Sequence, residues 1–343
     1  MRNRLSKLIV IGLVLCVLVV ACQPAPAAAP QAAEEEPAEA EEAAAGGEKI
    51  FKVGVVAPLT GPNSIVGDEF KGAVTMAFDA IDWKIGNYTV EVVWIDEETD
   101  PEAASRAYEA AIVRDEIDCG ILNWDASVAV ALMEVSAKHQ VPHFFAMGTT
   151  TIVDEKYRSE EKYTYWMGKG WPTPSKLTIA YINVLEEAIE SGAFDPGERN
   201  AALYGTDDDW SRGFADAIGG QLEEAGWTIV TEEYVPIGET DFYPLLTKLK
   251  GLDVPLIAGT TADAAGFTAM IKQSREIGLE SLIIADGLGW VGGWYDLTGE
   301  ASDYVIDQIP GWTSAEALAF RDEFMERYDF EPSPSAAGLS YDE

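Results

Sequence analysis

The chain has few basic residues. Its 343 residues include 23 Lys and Arg against 59 Asp and Glu, so the formal net charge is −36. No stretch combines Lys and Arg with interleaved aromatic residues, and recognition of phosphate backbones needs such a basic surface. The composition therefore excludes a nucleic-acid-binding protein, and a charge of this size suits a soluble, secreted monomer.

Histidine and cysteine are also scarce. His139 and His143 are the only histidines, and without an H-E-x-x-H arrangement they do not predict a metal site. Of the three cysteines, Cys16 and Cys22 lie near the N-terminus, so Cys119 has no partner for an internal disulfide in the folded part. We therefore expect no metal and no cofactor. Stability must come from the core of a chain that is 48% hydrophobic.

The first 21 residues predict a secretory signal peptide. A short basic segment precedes the apolar run 8–20, which is shorter than the roughly 20 residues of a membrane-spanning helix. The run ends in Val19-Val20-Ala21-Cys22, which resembles the bacterial lipobox, where the signal is cleaved before a cysteine that carries lipid. We expect Cys22 to be the lipidated N-terminus of the mature protein. The alternative is an ordinary secretion signal with a chance cysteine.

Residues 23–48 predict a disordered tether. They are almost entirely Ala, Pro, Glu, Gln and Gly, and they have no periodic apolar stripe. Such a composition cannot bury enough apolar surface to offset the entropy of ordering, and its seven glutamates keep the chain extended. With lipid on Cys22, this tether would let the folded part move near a membrane partner.

From Lys49 onward, β-branched apolar runs alternate with helical stripes. This alternation predicts two α/β lobes, each a doubly wound parallel sheet with helices on both faces. The predicted strands are 50–57, 88–95, 117–122, 141–146, 200–204, 228–234, 254–258 and 281–285. Helices are predicted between them, and residues 166–174 have the composition of a linker between the two series.

Ligands of parallel sheets bind beyond the carboxyl ends of the strands. The segments at these ends, 58–64, 123–127, 147–151, 205–210, 259–263 and 286–290, are rich in Gly, Ser, Thr, Asp and Trp. Hydroxyls and free N–H groups at helix starts can bind a carboxylate, and carboxylates on the other lobe can bind an ammonium. Trp124, Trp210 and Trp290 can enclose an apolar side chain. The alternative is that the polar residues merely cap helices and the tryptophans fill lobe surfaces.

Enzyme motifs find little support. Residues 287–292 satisfy G-x-G-x-x-G after a strand, and Asp307 follows at the expected distance, but no helical stripe follows the motif as a dinucleotide fingerprint requires. No G-x-S-x-G nucleophile elbow is present. The run Asp207-Asp208-Asp209 lacks the glycine and distant glutamate of an EF-hand loop. We expect a protein that is not an enzyme.

Several segments, in order, carry a family resemblance. Residues 52–62, KVGVVAPLTGP, resemble the opening of the branched-chain amino-acid-binding (Leu/Ile/Val-binding-like) periplasmic solute-binding proteins of ABC transporters, which have the type I periplasmic binding fold. Residues 141–149, VPHFFAMGT, resemble the second ligand loop of that family. Gly226-Trp227, Thr240-Asp241-Phe242, the segment from Lys272 to Leu279 and Asp286-Gly287 follow the rest of the pattern. The resemblance covers about residues 50–343.

The resemblance implies a ligand site. Thr149 and the backbone around Met147 and Gly148 would hold a ligand carboxylate, and Asp263 or Asp286 would bind an ammonium. Further residues implied at the site are Asn123, Trp124, Asp125, Ser127 and Trp210. The family usually has small residues where this chain has Asn123-Trp124-Asp125, and usually has Tyr at the place of Trp210. These departures leave three ligand classes open: an amino acid, an amide or an aromatic organic solute.

The resemblance also implies an architecture and a function. The lobes would be joined by a three-strand hinge, with residues 49–165 and 285–330 in lobe 1 and 166–284 and 331–343 in lobe 2. The final residues resemble the start of a helix that continues in the family, which suggests a fragment. The implied function is that of an extracytoplasmic, lipid-anchored solute-binding receptor that closes over a ligand and docks on an ABC permease. The alternatives are a ligand-sensing protein and an extracytoplasmic enzyme.

Overall fold

A computed structural model describes residues 49–145, 147–148, 150–168 and 170–343. In these residues eleven strands form two sheets. The first sheet has the order β2-β3-β1-β4-β5-β6, and all its pairings are parallel except β2 with β3. Its strands are β1 (Lys49–Ala57), β2 (Lys84–Ile85), β3 (Tyr88–Asp96), β4 (Cys119–Ile121), β5 (His143–Phe144) and β6 (Trp166–Met167).

The second sheet is parallel throughout, with the order β11-β10-β9-β7-β8. Its strands are β7 (Asn200–Thr206), β8 (Thr228–Val235), β9 (Leu256–Thr260), β10 (Leu282–Asp286) and β11 (Val305–Ile306). The predicted α/β architecture with two parallel-sheet lobes is confirmed. The predicted linker 166–174 contains a short strand, β6, which pairs with β5.

Helices cover both sheets, and their ends follow local sequence signals. Asp100 caps the start of α2, where Pro101 supplies the fixed φ of a first helical residue. Gln140 ends α3 in the left-handed conformation, with φ of +57°. The helices are α1 (Gly67–Asp79), α2 (Pro101–Val113), α3 (Ala126–His139), α4 (Thr151–Ser159), α5 (Pro174–Glu190), α6 (Asp209–Glu224), α7 (Tyr243–Leu252), α8 (Ala264–Glu276), α9 (Trp294–Thr298), α10 (Ala315–Tyr328) and α11 (Leu339–Asp342). Within the described ranges, no helix has the length and apolar character needed to cross a membrane.

The core of each lobe lies between its sheet and its helices. In the first lobe, Tyr108 of α2 and Leu132 and Met133 of α3 are fully buried in one cluster. In the second lobe all five residues of β9 are buried, as expected for a central strand covered on both faces. Truncating a buried leucine of these cores to alanine costs about 2–5 kcal/mol of the free energy of unfolding. Packing of this strength holds in place the strand ends at which the site lies.

The lobe boundaries predicted for the C-terminal third are wrong. Strand β11 pairs with β10, so the chain from 285 to 306 stays in the second lobe and does not return to the first. The segment 315–342 then packs on α1 of the first lobe, where Phe324 of α10 and Ala337 are buried against Ala73 and Met76. The chain therefore passes between lobes after β6 and again after β11. The predicted signal peptide, Cys22 and the tether lie outside the described residues.

Candidate functional site

A pocket lies between the two lobes at the carboxyl ends of their strands. Its empty volume is about 420 Å³, which includes space open to solvent. The first lobe contributes the residues that follow β4 and β5, and the second lobe those that follow β7, β9 and β10. The lining residues are Trp124, Asp125, Ala126, Met147, Gly148, Trp171, Trp210, Ala262, Trp290 and Ser335. This is where open parallel sheets bind ligands.

Four of the ten lining residues are tryptophans. Trp290 lies edge-to-face against Trp124 of the other lobe, with ring centroids 6.1 Å apart, and against Trp210 at 6.0 Å. Trp210 and Trp290 are buried, and Trp171 joins them from the segment between β6 and α5. Such faces attract apolar groups, other aromatic rings and cations.

The first-lobe wall is held by a compact set of contacts. Asp125 caps α3 by accepting hydrogen bonds from the N–H groups of Ser127 at 2.9 Å and Val128 at 3.2 Å. The side-chain amide of Asn123, fully buried, donates to the carbonyl of Asp125 at 3.0 Å. Gly148 has φ of +64°, and a Cβ there would lie 2.2 Å from Asn123 Nδ2. The glycine lets the two loops approach each other closely.

A buried glutamate supports this wall from below. Glu97 follows β3 and accepts hydrogen bonds from the backbone N–H groups of Trp124 and Asp125, both at 3.1 Å. Burial, and then the charge of Asp125, raise the pKa of Glu97 to about 8. Our reading of the sequence missed this residue. The other segments were selected because they follow the carboxyl ends of predicted strands, and the residues after β3 lie at such an end as well.

The second-lobe wall begins at a similar helix cap. Asp208 accepts hydrogen bonds from the N–H groups of Trp210 at 2.9 Å and Ser211 at 3.0 Å, so it starts α6 and fixes the direction of Trp210. Burial, and then the nearby carboxylate of Asp208, raise the pKa of Asp125 to about 7. The carboxylates of Asp125 and Asp208, which belong to different lobes, therefore lie near enough to repel each other when both are charged.

Two predicted acidic partners lie away from the pocket surface. Asp263 caps α8, accepting from the N–H groups of Gly266 at 2.6 Å and Gly238 at 3.1 Å. Asp286 is buried behind Trp210, where its Oδ1 accepts a hydrogen bond from the Tyr181 hydroxyl at 2.7 Å and its Oδ2 has no hydrogen-bond partner. Burial, and then the neighbouring Asp307, raise the pKa of Asp286 well above its usual value.

The G-x-G-x-x-G segment after β10 is committed to an internal contact. The N–H groups of Gly287 and Leu288 donate to Asp307 Oδ2 at 3.1 and 2.6 Å. A short 3₁₀ turn, Leu288–Trp290, lies within the motif, and the five-residue helix α9 follows it, where a dinucleotide site opens a long helix. The backbone donors that would hold a pyrophosphate are occupied by this chain's own carboxylate.

The structure brings together five of the ten residues that the resemblance implied at the ligand site: Trp124, Asp125, Met147, Gly148 and Trp210. Asn123 lies directly beneath them, and Ser127 contacts Asp209 of the other lobe. Thr149 lies outside the described residues. Trp171 and Ser335 line the pocket but were not predicted, because their segments follow no strand of the predicted series. In the described part of the chain, no group of three or more His, Cys, Asp or Glu side chains is placed to hold a metal ion.

Comparison with known proteins identifies relatives of the folded part. A curated relative, Leu/Ile/Val-binding protein homolog 3 of Brucella melitensis, is 26% identical over 236 residues, which are 68% of this chain and 60% of the relative. The chain thus spans less than two thirds of that relative's length.

Two solved structures share the fold. The leucine-binding protein of Thermotoga maritima has a TM-score of 0.73 at 18% identity, covering 85% of this chain and 80% of that chain. A solute-binding protein of Rhodopseudomonas palustris, in complex with 3,4-dihydroxybenzoic acid, has a TM-score of 0.70 at 20% identity, covering 86% and 78%. The model of the periplasmic binding protein family matches residues 51–341. The chain belongs to the periplasmic binding protein family.

Proposed function

We propose that this protein is an extracytoplasmic, lipid-anchored receptor of an ABC importer that binds a small amino-acid-like solute between its lobes. The observation that carries the proposal is the tryptophan-walled pocket, to which both lobes contribute side chains. A ligand that contacts both lobes stabilises the closed arrangement, and only a closed arrangement presents one joint surface to a membrane permease. The relative named for Leu, Ile and Val binding supports an amino-acid-like ligand.

The mechanism is binding without chemistry. The apolar part of the solute would pack on the indole faces of Trp124 and Trp290, and a positively charged group would lie near Asp125. Thr149 remains a proposed carboxylate ligand from the sequence resemblance. An aromatic solute is a second candidate, because indole walls suit a stacked ring and one structural relative is in complex with 3,4-dihydroxybenzoic acid.

Thermal unfolding of the purified full chain tests the proposal. The panel contains Leu, Ile, Val, their amides and aromatic acids. A ligand at a hundredfold excess over its Kd adds about 2.7 kcal/mol to the free energy of unfolding, which raises the Tm by at least a few degrees. The variant Trp124→Ala should lose this rise. Trp94→Ala, which removes a partly exposed tryptophan of β3, should keep it.

The same experiment separates a receptor from the other candidates. Recovery of the bound solute chemically unchanged supports the receptor, whereas a converted solute would point to an enzyme. No rise for any member of the panel, from protein shown to be folded by circular dichroism, would contradict the amino-acid-like and aromatic ligands together. Loss of solute uptake by cells that lack this protein would tie binding to import.

A further inference from the structure

Aspartates cap three of the helix starts around the pocket. Helices α3, α6 and α8 are each capped by an aspartate: Asp125, Asp208 and Asp263. These side chains accept hydrogen bonds from the first backbone N–H groups of each helix, at 2.6 to 3.2 Å. A ligand carboxylate would need those same donors. At these three helices, the chain's own carboxylates occupy one or two of those donors.

The charge around the pocket also disfavours an anion. Among the described lining residues, Asp125 is the one charged side chain, and no Lys or Arg is present. Asp208 and Asp209 of the other lobe lie near enough for their charges to act on Asp125. An anionic group entering here meets several carboxylates, whereas a cation relieves their mutual repulsion.

The walls suit a particular kind of cation. Four indoles line the pocket, and their faces attract positive charge through the ring quadrupole. Side-chain acceptors are few: of the described lining residues, only Asp125 and Ser335 carry a side-chain oxygen, and the Ser335 hydroxyl donates to the Gly289 carbonyl. A primary ammonium has three N–H donors to satisfy, whereas an alkylated ammonium has one or none. The scarcity of acceptors therefore favours the alkylated form.

We infer that the pocket takes a ligand with an alkylated ammonium group, held among the faces of Trp124, Trp210 and Trp290 and opposite the carboxylate of Asp125, and that it does not require a ligand carboxylate. This inference rests on the proposed receptor function and names the ligand class for the same pocket. Closure of the lobes would then place the cation between acidic groups of both lobes. Its positive charge would offset the repulsion between these groups, which otherwise favours separation of the lobes.

Calorimetric titration of the purified full chain tests the inference. The probes are tetramethylammonium chloride, choline chloride and 3,3-dimethylbutan-1-ol, an uncharged molecule with the shape of choline. Choline should bind at least tenfold more tightly than the uncharged alcohol. Asp125→Asn, which keeps a good helix cap, should weaken choline binding at least tenfold. The matched charge control Asp216→Asn, on the exposed face of α6, should leave it unchanged.

The aromatic contribution needs its own variants. Trp290→Leu should weaken choline binding at least tenfold, and Trp94→Leu should not. Because Trp290 is largely buried, Trp290→Phe is measured beside it. This milder variant should give an intermediate Kd in a protein that unfolds near the wild-type Tm.

Three outcomes would overturn the inference: no choline binding at 10 mM, equal affinities for choline and the uncharged alcohol, or an Asp125→Asn variant that binds choline like the wild type. If leucine or an aromatic acid then still raises the Tm, the ligand class is wrong and the receptor function stands. If leucine, the aromatic acids and the ammonium probes all fail to bind, both the alkylated-ammonium ligand and the receptor function proposed for this pocket are contradicted.

Discussion

The hydroxyl oxygen of Ser127, at the start of α3, accepts a hydrogen bond from the backbone N–H of Asp209, at the start of α6, at 3.2 Å. This contact joins the two lobes directly beside the pocket. A second one, from the Asn63 side-chain amide to the Ala262 carbonyl at 2.8 Å, joins them on another side. The pocket is therefore bounded by hydrogen bonds between lobes as well as by tryptophans, and these bonds stabilise the arrangement in which the lobes meet.

Removal of the Ser127 hydroxyl should weaken the contact between lobes. Ser127→Ala leaves the Asp209 N–H without this acceptor, and a hydrogen bond of this kind contributes about 0.5–1.5 kcal/mol. We expect urea unfolding to show a loss of that order. Ser159→Ala, an exposed serine of α4 whose hydroxyl bonds within its own turn, is the control and should show no loss. Equal stability of Ser127→Ala and the wild type would mean that the contact contributes nothing.

Gly148 should tolerate no side chain. Gly148→Ala places a Cβ 2.2 Å from Asn123 Nδ2 and 3.0 Å from the Asp125 carbonyl, at a φ of +64° that alanine also disfavours. We expect a destabilisation of about 2–4 kcal/mol, from backbone strain and overpacking together. Gly192→Ala is a matched control, because its φ is +76° and a Cβ there meets nothing within 4 Å. If both variants lose the same stability, the close approach to Asn123 is unimportant.

Glu97 should make the unliganded protein less stable as the pH rises. Its pKa in the folded state, about 8, lies above the ordinary value of 4.5, so the folded state holds the proton more tightly than the unfolded state. The stability that this proton provides is full below pH 4.5 and is lost as the pH rises through 8. Between pH 5 and 9 the wild type should lose on the order of 2 kcal/mol more than Glu97→Gln.

Chemical unfolding at several pH values measures this difference. Glu91→Gln, an exposed glutamate of the neighbouring strand β3, is the control and should follow the wild type. Parallel pH profiles of the wild type and Glu97→Gln would show that Glu97 is charged at neutral pH. The charge would then be stabilised by the hydrogen bonds that Glu97 accepts from the backbone N–H groups of Trp124 and Asp125, in spite of the nearby carboxylates of Asp125 and Asp96.

The lipid anchor is a prediction from the sequence alone. Cys22→Ser should shift the protein, expressed in a bacterial host, from the membrane fraction to the soluble fraction, because serine carries no acyl chains. Cys16→Ser is the matched control, since Cys16 leaves with the predicted signal peptide and the variant should remain on membranes. Cys22→Ser that still sediments with membranes would contradict the lipobox interpretation.

Local sequence signals predicted most of the secondary structure. Helix α3 begins and ends where its stripe of apolar residues and the preceding Asp125 indicate, because caps and periodicity act within one or two turns. The sequence did not predict strand β6, because a strand of two residues is too short to show a periodic pattern of apolar residues. Only its pairing with β5 defines it. Strand β11 is equally short, and its pairing with β10 decided to which lobe it belongs.

The site divides in the same way. By itself the sequence determined the alternation of strands and helices, the segments at the strand ends and the family pattern, because these depend on neighbours along the chain. Only the tertiary structure decided that Asp125 lines the pocket while Asp263 and Asp286 do not, that Glu97 lies beneath Trp124, and that the aspartates occupy the helix starts. The direction and hydrogen-bond partners of a side chain depend on packing between segments far apart in sequence, and no local pattern records that packing.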